Sequence, residues 1–74
     1  MDGHYLDLKG LKCPLPAMKT RRALANLPAG AVLVVACTDP LATLDIPNLV
    51  RETGDRLEGQ ALEGATATFR IRKV

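Results

Sequence analysis

Apolar and polar positions divide the chain into short strands and two helical regions. His4 to Leu8 alternates, with Leu6 and Leu8 on one side and Lys9-Gly10 closing it, which predicts a first strand buried on one face. From Pro14 to Leu27 nothing after Pro16 breaks a helix, and Pro28-Ala29-Gly30 supplies a stop, so a first helix is expected there. Ala31 to Ala36 is continuously apolar and rich in β-branched residues, as in a strand covered on much of both faces. Asp39-Pro40 has the form of a helix cap followed by proline at the first helical position. Asp45-Ile46-Pro47 repeats that signal before Gly54, so one turn, a kink and a second helix are expected. Arg56 to Glu63 has no clear period. Thr66 to Lys73 alternates, with Ala67, Phe69 and Ile71 inward and Thr68, Arg70 and Arg72 outward; Gly64 offers the turn of a hairpin between the last two strands. The order β-α-β-α-β-β predicts an α/β two-layer sandwich with two helices on one face of a four-stranded mixed sheet.

Length bounds this picture to one domain over residues 1–74, because so short a chain cannot support two cores. Apolar residues at 47% and charged residues at 24% give the balance of a folded domain rather than a disordered tail. With only Tyr5 and Phe69 as aromatics, base-stacking platforms are nearly missing, which argues against a nucleic-acid partner. The N-terminus shows no basic and apolar leader pattern, and no apolar run approaches membrane-spanning length, so a cytoplasmic protein with no membrane partner is expected. In a reducing compartment Cys13 and Cys37 are expected as thiols rather than as a disulfide.

The net charge of +2 hides an asymmetry. Lys9, Lys12, Lys19, Arg21 and Arg22 surround Cys13 in an acid-free stretch, whereas Asp39, Asp45, Glu52, Asp55, Glu58 and Glu63 face only Arg51 and Arg56. In Gly10-Leu11-Lys12-Cys13-Pro14-Leu15-Pro16 the thiol precedes a helix whose first and third residues lack an N–H. With Cys13 as the cap, the Leu15 N–H is the local donor for the sulfur, and the helix dipole with Lys9 and Lys12 is expected to favour thiolate. From spacing alone two readings stand: a reactive thiolate, or a small residue that merely begins a helix.

Helical projection puts Cys13, Ala17, Thr20, Leu24 and Leu27 on the stripe facing the sheet, with Ala23 at its edge. Leu15, Met18, Lys19 and Arg22 fall opposite. An exposed apolar pair ringed by cations, with Lys12 beside it, suits transient docking of a protein partner; packing of Leu15 and Met18 under a loop is the alternative.

Over nearly its whole length the chain resembles the TusA/SirA family of sulfurtransferases. The resemblance lies in Leu6-Asp7, Gly10-Leu11, Cys13-Pro14-Leu15-Pro16, Asp39-Pro40, Asp45-Ile46-Pro47 and Ile71-Arg72-Lys73. It implies a sulfur carrier that takes sulfur as a covalent persulfide on Cys13, with no metal and no bound cofactor. The donor would be a cysteine desulfurase or rhodanese, and the acceptor another protein. Gly10, Pro14, Leu15, Pro16, Asp39 and Asp45 would shape the site, with Asp39 and Asp45 acting as caps that do not touch the sulfur. Family routes include tRNA 2-thiouridine synthesis, which we favour, molybdenum-cofactor sulfuration, sulfur oxidation and selenium or regulatory roles.

Cys37 is expected to be a half-buried structural thiol, with a relay or disulfide to Cys13 as the alternative, and a monomer is expected for a carrier that docks in turn. His4 stands apart from any ligand cluster. Arg70, Arg72 and Lys73 read as a solvated strand face. The rival function is a small RNA- or protein-binding regulatory module, since the same outline resembles the C-terminal domain of bacterial translation initiation factor three.

Overall fold

The computed structural model describes residues 3–74. Its elements are β1 (Gly3–Leu8), α1 (Leu15–Ala25), β2 (Val32–Cys37), α2 (Ala42–Thr53), β3 (Arg56–Glu63) and β4 (Thr66–Arg72). The four strands form one mixed sheet in the order β1-β2-β4-β3. β1 runs parallel to β2, pairing Leu6 with Val35 and Leu8 with Cys37, and β4 lies antiparallel to both β2 and β3. Two helices pack on one face of this sheet, as the order of elements predicts.

Alternation decides which side chains meet the helices. Leu33, Val35 and Cys37 of β2 and Ala67, Phe69 and Ile71 of β4 form the core with Leu8, Leu24, Ala42, Ile46 and Val50. Phe69, Val35, Ile46, Ile71 and Cys37 are wholly buried. Cys37 is therefore a core residue rather than the half-buried one expected. Central placement of β2 also buries Val32 and Ala36 on its other face, which explains the unbroken apolar run.

Arg56 to Glu63, which lacks a period, forms an edge strand with an irregular register between Leu57 and Gly59. The extra residue, Glu58, breaks the alternation that sequence reading depends on. A two-residue turn joins Glu63 to Thr66, with Gly64 at φ 61° and Ala65 at negative φ, the pattern of a type II′ hairpin. On β4, Arg72 donates to Glu58 at 2.6 Å and to the Gly30 carbonyl at 3.0 Å, so it ties strands and loop together rather than facing solvent freely.

Both helices differ from expectation at their starts. α1 begins at Leu15 with Pro14, not Cys13, at the cap position. α2 is a single helix from Ala42 with Pro47 inside it, rather than a turn, a kink and a second helix. Pro47 removes one intrahelical donor, and a helix whose buried face carries Ala42, Ile46, Leu49 and Val50 outweighs that loss. No helix among the described residues is long and apolar enough to cross a membrane.

Candidate functional site

Because β1 and β2 are parallel, the loops that leave their carboxyl ends emerge at the same end of the sheet. One carries Lys9 to Pro14 and the other Thr38 to Leu41. Gly10 makes the first turn at φ 87°, a conformation that disfavours any side chain, and its N–H donates to Thr38 Oγ1 at 2.9 Å. Asp39 fastens the loops together: Oδ1 accepts the Leu41 N–H at 3.0 Å, and Oδ2 accepts the Cys13 N–H at 2.5 Å. These two charge-assisted bonds, the Leu41 N–H foremost, hold the Asp39 carboxyl below the usual carboxylate range.

Of the expected buried stripe, Thr20 and Leu24 are buried and Ala17 and Leu27 half-buried, whereas Cys13 is exposed and Pro16 is buried in its stead. The Leu15 N–H, expected to meet the sulfur, donates to the Lys12 carbonyl at 2.9 Å, and the first full helical bond runs from Met18 N–H to the Pro14 carbonyl. With its own N–H drawn to Asp39, Cys13 belongs to a turn before the helix and its sulfur misses the open donors of the first turn.

What the sulfur meets is an acid. Because α2 starts three residues before Asp45, that residue sits in the first turn rather than at a cap, and the Cys13 Sγ–H donates to its Oδ2 at 3.1 Å. That hydrogen bond, with the nearby charges of Asp45 and Asp39, pushes the Cys13 thiol up. The expected bias toward thiolate is thus reversed: Lys9 and Lys12 are sequence neighbours, but neither bonds the sulfur, while a carboxylate 32 residues away does.

A shallow cleft of about 420 Å³ runs from Cys13 between the two helices, lined by Ala17 and Met18 on one side and Asp45, Asn48 and Leu49 on the other. Arg21 crosses it to Glu52 at 2.8 Å. Both partners are exposed lining residues of the cleft, so the pair contributes only about 0–1 kcal/mol to stability. Of the expected docking residues, Met18 lines this cleft and is 59% exposed, and Leu15 lies exposed beside it. Lys12 lines a separate hollow with Gly10, Thr38 and Asp39, while Lys19 and Arg22 flank a third beside Leu6 and Asn26. Arg21, Asn48, Glu52 and Thr38 carried no motif signal that marked them, since only the packing of α1 against α2 brings them here. Cys37 faces the core, and burial chiefly raises its thiol pKa, so the structure does not bring it to the cleft.

A family model described as Sulfurtransferase TusA matches residues 4–73. The chain belongs to the TusA family. It is 43% identical over 68 residues to the sulfur carrier protein TusA of Pseudomonas entomophila, covering 92% of this chain and 85% of that one. It is also 38% identical over 68 residues to the putative sulfur carrier protein YrkF of Bacillus subtilis. That match covers 92% of this chain but 37% of YrkF, so the chain spans little more than a third of that relative. The fold matches the crystal structure of a SirA-like protein from Desulfitobacterium hafniense with a TM-score of 0.81 at 23% identity, over 92% and 93% of the two chains. Membership of the TusA family assigns a role in sulfur transfer, which implies donor and acceptor proteins as partners.

Proposed function

We propose that this TusA-family protein carries sulfur as a persulfide on Cys13, loaded by a donor protein such as a cysteine desulfurase or rhodanese and unloaded onto an acceptor protein. The observation that carries this reading is the exposure of Cys13 at the head of an open cleft, on a loop held in place by Gly10 and Asp39. In the loading step the Cys13 sulfur attacks the outer sulfur of the donor persulfide. A new S–S bond forms, the donor's S–S bond breaks, and its electron pair leaves on the donor cysteine. The carried group is covalent, so the reaction asks for no bound cofactor.

Access matters here more than affinity for any small molecule. Leu15 and Met18 offer exposed apolar area next to the thiol, which suits brief docking of successive protein surfaces by a monomer, while Lys12, Lys19 and Arg22 stand at neighbouring hollows as a cationic surround outside the cleft itself. Cytoplasm, where thiols stay reduced, is the compartment this chemistry needs. The first acceptor route to test is tRNA 2-thiouridine synthesis, in which loss of the protein would lower the 2-thiouridine content of tRNA.

Transfer of radiolabelled sulfur from cysteine, through a cysteine desulfurase with its pyridoxal cofactor, tests the reading. Label that reaches the wild-type chain and is released by reductant supports a persulfide. A chain that stays unlabelled with both a desulfurase and a rhodanese donor contradicts it.

A further inference from the structure

Two carboxylates approach Cys13, and their oxygens are differently engaged. Both oxygens of Asp39 accept backbone N–H groups, from Leu41 and from Cys13 itself, which makes it a positioning residue. Asp45 instead turns Oδ2 to the sulfur at 3.1 Å and accepts its proton in a hydrogen bond. The remaining charged groups at the site are otherwise occupied or set back. Arg21 of α1 is bonded to Glu52 of α2, and Lys12 of the β1–α1 loop lies near the Asp39 carboxylate. Among the described residues, Asp45 is the only side chain hydrogen-bonded to the Cys13 sulfur.

A persulfide exchange moves a proton as well as a sulfur. Cys13 attacks best as thiolate, and the displaced cysteine leaves best when its growing charge is met by a proton. Water serves both ends while Cys13 is exposed, but a docked partner covers the thiol and excludes it. A carrier that meets several partners then needs a proton acceptor that travels with it.

We propose that Asp45 is that group, a catalytic residue that shuttles the proton in both halves of the transfer. On loading, Asp45 Oδ2 takes the Sγ–H proton as Cys13 forms its bond to the outer sulfur, and delivers it to the donor thiolate as the donor's S–S bond breaks. On unloading, Asp45 takes the proton of the acceptor thiol as that sulfur attacks, and delivers it to Cys13 as the carried sulfur departs with the acceptor. No net oxidation occurs, and the carboxylate is regenerated in each half. This rests on Cys13 being the carrier, and it adds a general acid-base to the site.

The test compares wild type with Asp45→Asn and Asp45→Glu in single-turnover loading from a persulfide-charged desulfurase or rhodanese, read by intact mass, alongside iodoacetamide alkylation of Cys13 across pH. Asp45→Asn is expected to load about a hundredfold more slowly, while its alkylation midpoint moves to lower pH and its alkylation at neutral pH becomes faster. Asp45→Glu should recover part of the loading rate. Opposed changes in loading and alkylation separate a proton role from simple loss of structure, which would not speed one while slowing the other. Loading of Asp45→Asn at the wild-type rate, or loading and alkylation that fall together, overturns the proton role and leaves the carrier reading standing. Wild type that takes no sulfur overturns both.

Discussion

The two thiols differ in what surrounds them, and chemical labelling reads that difference residue by residue. Cys13 is exposed and Cys37 is wholly buried in the core cluster, opposite Ala67 of β4. Titration with a disulfide reagent should therefore modify one thiol in the native protein and two in denaturant; two fast-reacting thiols in the native protein would contradict the buried placement. At Met18, replacement by Glu puts a charge into the apolar rim of the cleft. It should slow loading from a protein donor about tenfold or more, about 1.4 kcal/mol, while leaving loading from glutathione persulfide unchanged. Equal slowing with both donors would show that the change acts on the thiol rather than on docking. The place of Cys13 just before a helix was legible from Gly10-Leu11-Lys12-Cys13-Pro14-Leu15-Pro16, because the prolines mark a helix start within a few residues. The ionisation of its thiol was not, since Asp45 reaches the sulfur only through the packing of α2 against α1, a contact no local pattern encodes.

At the scale of elements, each start and turn rests on a few backbone bonds that single substitutions address. Gly10 adopts φ 87° to send its N–H to Thr38, and a Cβ there meets open space but a disfavoured backbone. Gly10→Ala should cost about 1–2 kcal/mol in urea unfolding; an unchanged midpoint would mean that the turn relaxes at no cost. On α1, Thr20 is fully buried with its hydroxyl unpartnered. Thr20→Val keeps the shape and removes that hydroxyl, so stability should hold or rise by about 1 kcal/mol, and a clear loss would reveal a partner for Oγ1. Strands β1 and β4 were readable from alternation, β2 from its unbroken apolar run and the hairpin turn from Gly64. The length of α2 was obscured by Pro47, whose local signal says break where the buried face formed by Ile46, Leu49 and Val50 says continue.

Across the whole molecule, the fold places two parallel strand ends side by side and lets Asp39 join the loops that leave them. Its carboxyl is held low by the Leu41 and Cys13 N–H groups, so its folded pKa lies below its unfolded one. The stability it contributes is present above the unfolded value and is lost as pH falls through the folded value. Glu58, held low chiefly by Arg72, acts with the same sign. Thermal unfolding followed into acid should therefore show a declining midpoint below the usual carboxylate range, and Asp39→Asn should flatten part of that decline; a mutant curve parallel to wild type would remove Asp39 from the account. The layer order was legible from the chain, whereas the junction between loops was not, because Asp39 lies 26 residues from the N–H it holds.

The carrier assignment is tested most directly by intact-mass spectrometry after incubation with a cysteine desulfurase, its pyridoxal cofactor and cysteine, comparing wild type, Cys13→Ser and Cys37→Ser. The account predicts a product one sulfur atom heavier in wild type and in Cys37→Ser, and none in Cys13→Ser. An adduct that persists in Cys13→Ser and disappears in Cys37→Ser would contradict it.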